Sequence, residues 1–180
     1  LMKNPAIQKI EILPLLLELK YPFVTALGRK TESANVLVLV SLSNGLTGGG
    51  EASSSLAMPQ ASQSAMIREL VSLRQSLEGM PFDQGLSFIK KGVTEGVQPT
   101  SFSALEMAFL DLSARMKGVA LNRLLGLKGR LHQLETFLTI SVWPPEMARK
   151  LVIKESKAGF RKFKIKVGTE WNEDLKRVLA

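Results

Sequence analysis

Two lysines one residue apart, Lys164 and Lys166, stand in the run GFRKFKIKVG at residues 159–168. On a β-strand successive side chains alternate between faces, so both ammonium groups project from one face, with Cα atoms roughly 6.5–7 Å apart. Phe163, Ile165 and Val167 then share the other face and can pack beneath helices. Two positive charges held that close disfavour one another, and a lysine in such surroundings can remove a carbon-bound proton near neutral pH. The same spacing also serves a plain solvated strand, and edge strands use lysine to deter aggregation. From spacing alone, that second use is the commoner one.

Other residues with chemical potential are fewer. TGGGE at 47–51 is glycine-rich, but it lacks the Gly-Lys-Ser/Thr ending of a phosphate-binding loop. Close backbone packing is the simpler use of those glycines. Asp111 sits in an apolar helical run, where a structural ion pair or hydrogen bond is expected. His132, the single histidine, lies in a linker and reads as a surface residue. There are no cysteines, which excludes disulfides, thiolate metal sites and cysteine nucleophiles. The acids after residue 130 are Glu135, Glu146, Glu155, Glu170, Glu173 and Asp174. They fall in loops and at helix ends, and form no visible metal constellation.

The elements that must position these residues follow two grammars. Residues 6–18 and 35–42 read as strands, and Asn44-Gly45 is a hairpin signal leading to a return strand near Glu51. Helical spacing then marks 60–77, a shorter segment at 84–92, and a clear helix over 101–117 with a buried stripe of Phe102, Leu105, Phe109, Leu112 and Met116. Thr100 or Ser101 is the expected cap of that helix, with Ser103 and Glu106 spaced as a capping box. Beyond residue 130 the pattern becomes strand (136–142), helix opening at Pro144-Pro145, strand (RKFKIKV), and a helix capped by Asn172. Such alternation builds a parallel sheet. The expected organisation is an α+β domain over 1–130, a three-stranded antiparallel meander plus helices, followed over 131–180 by the first two β/α units of an incomplete TIM-type barrel. A closed barrel needs eight such units.

The 180 residues carry a net charge of +8. The excess divides equally between residues 1–130 and 131–180. A nucleic-acid binder more often gathers its charge into a patch with interleaved aromatics, and no recognition motif accompanies it, so no nucleic-acid partner is expected. No run reaches the length of a membrane span and no leader cleavage pattern follows the N-terminal lysines. The expectation is a cytoplasmic protein with no membrane partner.

Four segments, in this order, resemble one family: PFVTALG (22–28), GLTGGGEA (45–52), SALEMAFLDLSARMKGVALNRLLG (103–126) and GFRKFKIKVG (159–168). They are similar to the enolase superfamily, to its muconate-lactonizing subgroup, and within it to dipeptide epimerases, a match that LETFLTISV (134–142) narrows. The resemblance implies a capping domain and the start of a β/α barrel. It implies that Lys166 is the acid/base that moves a proton α to a carboxylate, and that Lys164 supports it. Thr139 would line the substrate site. Thr25 and Arg29 would lie on a capping loop at 22–30 that, with a second loop at 51–58, matches the family's loops that close over substrate. The implied partner is a small carboxylate, such as a dipeptide.

The implied cofactor is Mg²⁺, but the family's three acidic ligands and its second-face lysine belong to barrel strands that this chain does not hold. The expectation is therefore an N-terminal portion of an isomerase, inactive by itself. Gly28 stands where epimerases of acidic dipeptides carry Arg, with Arg29 one place later, which argues against an Ala-Glu type substrate. o-Succinylbenzoate synthase and muconate cycloisomerase are competing activities. A non-catalytic relative is the other alternative, an assembly module whose open barrel edge would drive self-association into a homo-oligomer.

Overall fold

The computed structural model describes residues 4–92, 98–129 and 134–180. The linker about residue 130 and His132 lie outside the described residues. The chain forms two compact units. One holds residues up to Leu17 together with Ser33–Lys128. The other holds Glu18–Glu32 together with the chain from Gly129 onward.

The three-stranded sheet is β1 (Ile7–Thr25), β2 (Gly28–Leu42) and β3 (Thr47–Ala52), in that order; the first unit holds all of it except residues 18–32, which belong to the second. β2 and β3 are antiparallel, with Val38 opposite Gly50 and Val40 opposite Gly48. Period-2 alternation puts Val36, Val38, Val40 and Leu42 on one buried face. Helices α1 (Gln63–Leu77), α2 (Phe82–Gly92) and α3 (Pro99–Met116) cover it, and the short α4 (Leu121–Leu124) follows. The buried stripe of α3 is Phe102, Leu105, Phe109 and Leu112, as its spacing indicated, with Phe109 stacked on Phe82 at 5.3 Å.

The glycines of TGGGE explain how close α3 lies. A methyl group on Gly50 would stand 1.9 Å from the Ala104 carbonyl oxygen, and one on Gly48 2.4 Å from that of Ala108. Both glycines are opposite core-facing valines, so the small stripe Ala104–Ala108 meets bare backbone. The neighbouring Gly49, on the other face, donates its N–H to Asp111 Oδ2 (3.2 Å), which also pairs with Arg115 (3.0 Å). Asp111 thus satisfies an N–H of β3, an edge strand of this sheet.

Two expectations change. The strands read as 6–18 and 35–42 are arms of a longer hairpin, because β1 runs on to Thr25 and β2 begins at Gly28. Pro14 and Pro22 are tolerated because β1 is an edge strand, where a missing N–H leaves no ladder bond unmade. Residues 28–35 were obscure because β3 pairs only from Val36 onward, so this ribbon lacks the apolar alternation of a covered sheet. At its tip Thr25 Oγ1 accepts the Leu27 N–H (3.1 Å), and Gly28 takes φ +140°, which glycine adopts without strain.

The helix starts differ too. α3 begins at Pro99 with Gln98 as N-cap, and Thr100 and Ser101 lie inside its first turn with buried hydroxyls lacking partners. Proline at the first helical position moves the start earlier, and Glu69 accepts the Gln98 N–H (2.9 Å). The last helix is capped by Glu170, which accepts the N–H groups of Asn172 and Glu173, rather than by Asn172 itself.

The second unit contains β4 (Leu138–Ile140), α5 (Pro145–Lys157), β5 (Phe163–Ile165) and α6 (Trp171–Leu179). β4 and β5 pair in parallel. No helix among the described residues is long and apolar enough to cross a membrane.

The glycine contacts give a direct test. Gly50→Ala should destabilise the first unit by about 3 kcal/mol or more, because the obstacle is helix backbone that cannot rotate away. Gly49→Ala, whose methyl would meet only Leu39 at 3.5 Å, should change stability by less than about 1 kcal/mol. Urea unfolding followed by far-UV circular dichroism compares the two; equal effects would refute the close-packing account.

Candidate functional site

β5 is sorted by burial. Phe163 and Ile165 join Ile140, Trp143, Ala148 and Leu151 in the core of the second unit, together with Tyr21, Val24 and Val152. The alternation then turns Lys164 and Lys166 to the opposite face. Lys164 is exposed and Lys166 half-buried. Val167, read as a core residue, lies past the strand end and is 52% exposed.

The parallel register places Thr139 directly beside Lys164, and Ile140 beside Ile165. Lys166 continues the ladder by donating its N–H to the Ile140 carbonyl (2.9 Å). Thr139, Lys164 and Lys166 therefore share one face at the carboxyl ends of the two strands. In open and barrel-type parallel sheets, that end is where ligands bind.

The hairpin tip belongs to this same unit. Val24 donates its N–H to Ser141 Oγ (3.2 Å) and accepts that of Val142 (3.0 Å), so β1 is fastened to the segment leaving β4. Tyr21 packs edge-on against Trp143, at 5.9 Å between ring centroids, and accepts a hydrogen bond from Lys154 (2.8 Å). A methyl on Gly168 would lie 3.7 Å from Ala26 Cβ, so the tip also reaches the turn that follows the lysines. The structure thus brings Thr25 and the residues of the tip to the unit that carries Thr139, Lys164 and Lys166. Thr25 is half-buried and spends its hydroxyl on the turn; Arg29 is exposed on the returning strand. The stretch at 51–58 falls in the other unit. There Asn35 holds its start: the amide accepts from Ser53 and Ser54 and donates to Glu51 (2.5 Å).

Sequence reasoning missed a buried network at the turn that follows β5. Asp174 accepts the N–H groups of Gly168 (2.6 Å) and Thr169 (3.2 Å) and pairs with Arg177 (2.5 Å). Arg177 Nε donates to the Trp143 carbonyl (2.6 Å). The Gly168 N–H, then the Arg177 guanidinium, hold the Asp174 carboxyl below its ordinary value of 3.8. The available signal was the i, i+3 spacing of Asp174 and Arg177 shortly after a Gly-Thr turn.

These partners decide how the acids bear on a metal. Asp174 is spent on Arg177 and two amides, Glu170 on the α6 cap, Glu173 on Lys176, and Glu135 on Lys162. Among the described residues no three His, Cys, Asp or Glu side chains come together as a metal site. The acids so engaged among the described residues do not form a donor set for Mg²⁺.

Residues 8–126 match the family described as mandelate racemase / muconate lactonizing enzyme, N-terminal domain. A hydrophobic dipeptide epimerase of Citrifermentans bemidjiense is 30% identical over 164 residues, covering 88% of this chain and 44% of that protein. A crystal structure of a dipeptide epimerase from Enterococcus faecalis V583, complexed with Mg and the dipeptide L-Leu-L-Tyr, superposes with a TM-score of 0.84 at 26% identity. The overlap is 97% of this chain and 49% of that one. A substrate-liganded L-Ala-D/L-Glu epimerase from Bacillus subtilis gives 0.81 at 31%, covering 97% and 49%. The chain spans about half the length of the relatives it matches.

The Asp174 network yields a pH dependence. A carboxyl whose folded-state pKa lies below its unfolded value contributes stability that is whole above the unfolded value, and that is lost as pH falls through the folded one. Asp174→Asn should therefore lower stability at pH 7 and flatten the acid limb below the ordinary value of 3.8. Both tryptophans, Trp143 and Trp171, lie in this unit, so their fluorescence reports it. Stability–pH curves that run parallel in the two proteins would remove Asp174 from this account.

Proposed function

The chain belongs to the mandelate racemase / muconate lactonizing enzyme family, and from that membership we propose that it is the N-terminal part of a dipeptide epimerase. Lys166 is the acid/base at the substrate α-carbon. The observation that carries this reading is the shared face of Thr139, Lys164 and Lys166 at the carboxyl ends of β4 and β5, with the hairpin tip against the turn that follows.

The chemistry follows from the charges. A carbon acid beside a carboxylate is weak because its conjugate base concentrates negative charge. Lys166, as the free amine, takes the α-proton. Lys164, two residues back on the same face, keeps a positive charge beside the developing anion, and fixed charges of that kind act only as charge forms. Thr139, level with Lys164, offers a hydroxyl donor or acceptor to the bound backbone. Thr25 and Arg29, on the hairpin, contribute to the substrate-facing surface. Magnesium, bound in the epimerase complex from Enterococcus faecalis, would stabilise the substrate carboxylate in the whole enzyme through ligands other than the acids described above.

The two strands supply a base to one face of the α-carbon, and epimerisation also needs a proton returned from the other. The 180-residue chain is accordingly read as inactive alone. Gly28 and the displaced Arg29 favour a dipeptide without an acidic second side chain.

The test is α-proton exchange into deuterated water, followed by proton NMR over a panel of L-Ala-containing dipeptides with Mg²⁺ present. In the full-length enzyme, Lys166→Ala should reduce exchange by at least about 100-fold while the fold is retained. Undiminished exchange in that variant refutes the assignment of Lys166. Exchange by the 180-residue chain alone refutes its inactivity.

A further inference from the structure

α6 is attached to its unit in an unusual way. Its buried residues are Asp174 and Arg177. Its large apolar residues point outward: Trp171 is 77% exposed, Leu179 76% and Val178 52%. A helix seated for stability alone would turn its apolar stripe inward, since a buried ion pair loses much of its attraction to desolvation and is often no better than well-packed apolar side chains. Here the pair is completed by directed bonds at both ends. Asp174 holds the two amides and the hydroxyl of Gly168-Thr169, the turn directly after Lys166-Val167. Arg177 holds the carbonyl of Trp143, two residues after Ser141. The first of these, at Gly168, lies near Ala26 of the hairpin tip, a methyl group there falling 3.7 Å from the Ala26 Cβ, and Ser141 holds Val24 of the same hairpin.

We propose that the buried Asp174–Arg177 pair is a positioning device for the site: it ties the turn after β5 to the segment after β4, and so fixes both the end of the lysine strand and the seat of the hairpin tip. The inference rests on the reading of Lys166 as the acid/base. Neither residue meets substrate. Their effect reaches the reaction through the turn after Lys166 and the segment after β4, and a displacement of about 1 Å at a reacting group can lower a rate by roughly 100-fold.

The experiment compares Arg177→Met, Arg177→Lys and Asp174→Ala, with Lys176→Met as control because it breaks only the exposed Lys176–Glu173 pair on the same helix. In the 180-residue chain, amide hydrogen exchange at Gly168 and Thr169 should rise about tenfold or more in Arg177→Met, while amides of Val36–Val40 in the other unit and all amides of Lys176→Met stay unchanged. In the full-length enzyme, Arg177→Met should lower kcat about tenfold or more with KM within about threefold, and Arg177→Lys should recover part of the loss. If Arg177→Met does not fold, Asp174→Ala carries the same measurements, since it removes both the charge that pairs with Arg177 and the acceptor of the Gly168 and Thr169 amides.

Unchanged exchange at Gly168 and Thr169 overturns the proposal. So does an unchanged kcat in a full-length enzyme that Lys166→Ala inactivates. A Lys166→Ala enzyme that still exchanges the α-proton overturns the underlying reading instead, and leaves the amide measurements to decide whether the pair holds the turn.

Discussion

The parallel register between β4 and β5 is the constraint on which the site depends. Ile140 opposite Ile165 commits one face of both strands to the core beneath α5. The next position along each strand must then face the other way, which puts Thr139 beside Lys164 and Lys166 beyond it. A slip of one residue would bury a lysine and expose an isoleucine, so register and burial enforce each other. The hairpin completes the arrangement through backbone bonds at Val24, which hold whatever side chains that strand carries.

Much of this was legible in residue order. The valine alternation of β2, the Asn44-Gly45 turn, the α3 stripe and the lysine face of β5 all come from periodicities that the backbone imposes. What was hidden has a common cause: interactions between distant residues. The length of the hairpin was concealed because its outer arms are paired with each other and with the segment leaving β4, so no local apolar alternation marks them. The start of α3 was misread because Pro99 and Glu69 together outweigh the better intrinsic caps at Thr100 and Ser101. Asp174 looked like an ordinary acid at a helix N-terminus, and only the fold reveals that its partners are Gly168, Thr169 and Arg177.

The glycines of β3 and the acids of the second unit illustrate how one residue type can suggest chemistry and serve architecture. The two core-facing glycines of TGGGE admit the backbone of α3. Most acids near the lysines cap amides or neutralise cations, and a carboxylate so occupied is a poor ligand for a divalent ion. The lysines are the exception. Among the described residues, neither the Lys164 side chain on β5 nor the Lys166 side chain just past its end has a hydrogen bond or ion pair, whereas Asp174, Glu170, Glu173 and Glu135 each have a close partner.

The bond from Val24 to Ser141 spans 117 positions. During synthesis, at roughly 5–20 residues per second, the hairpin tip emerges about 6–23 s before its partner does. For that interval the ribbon of residues 18–32, with Leu27 at its tip, has nothing of its own unit to rest on. Its arms can already pair with each other, so the early hairpin is a local structure that waits on the ribosome for a non-local one. The hairpin can therefore join the second unit only after the segment leaving β4 has been translated, and the completion of that unit is paced by synthesis of the chain that follows α4.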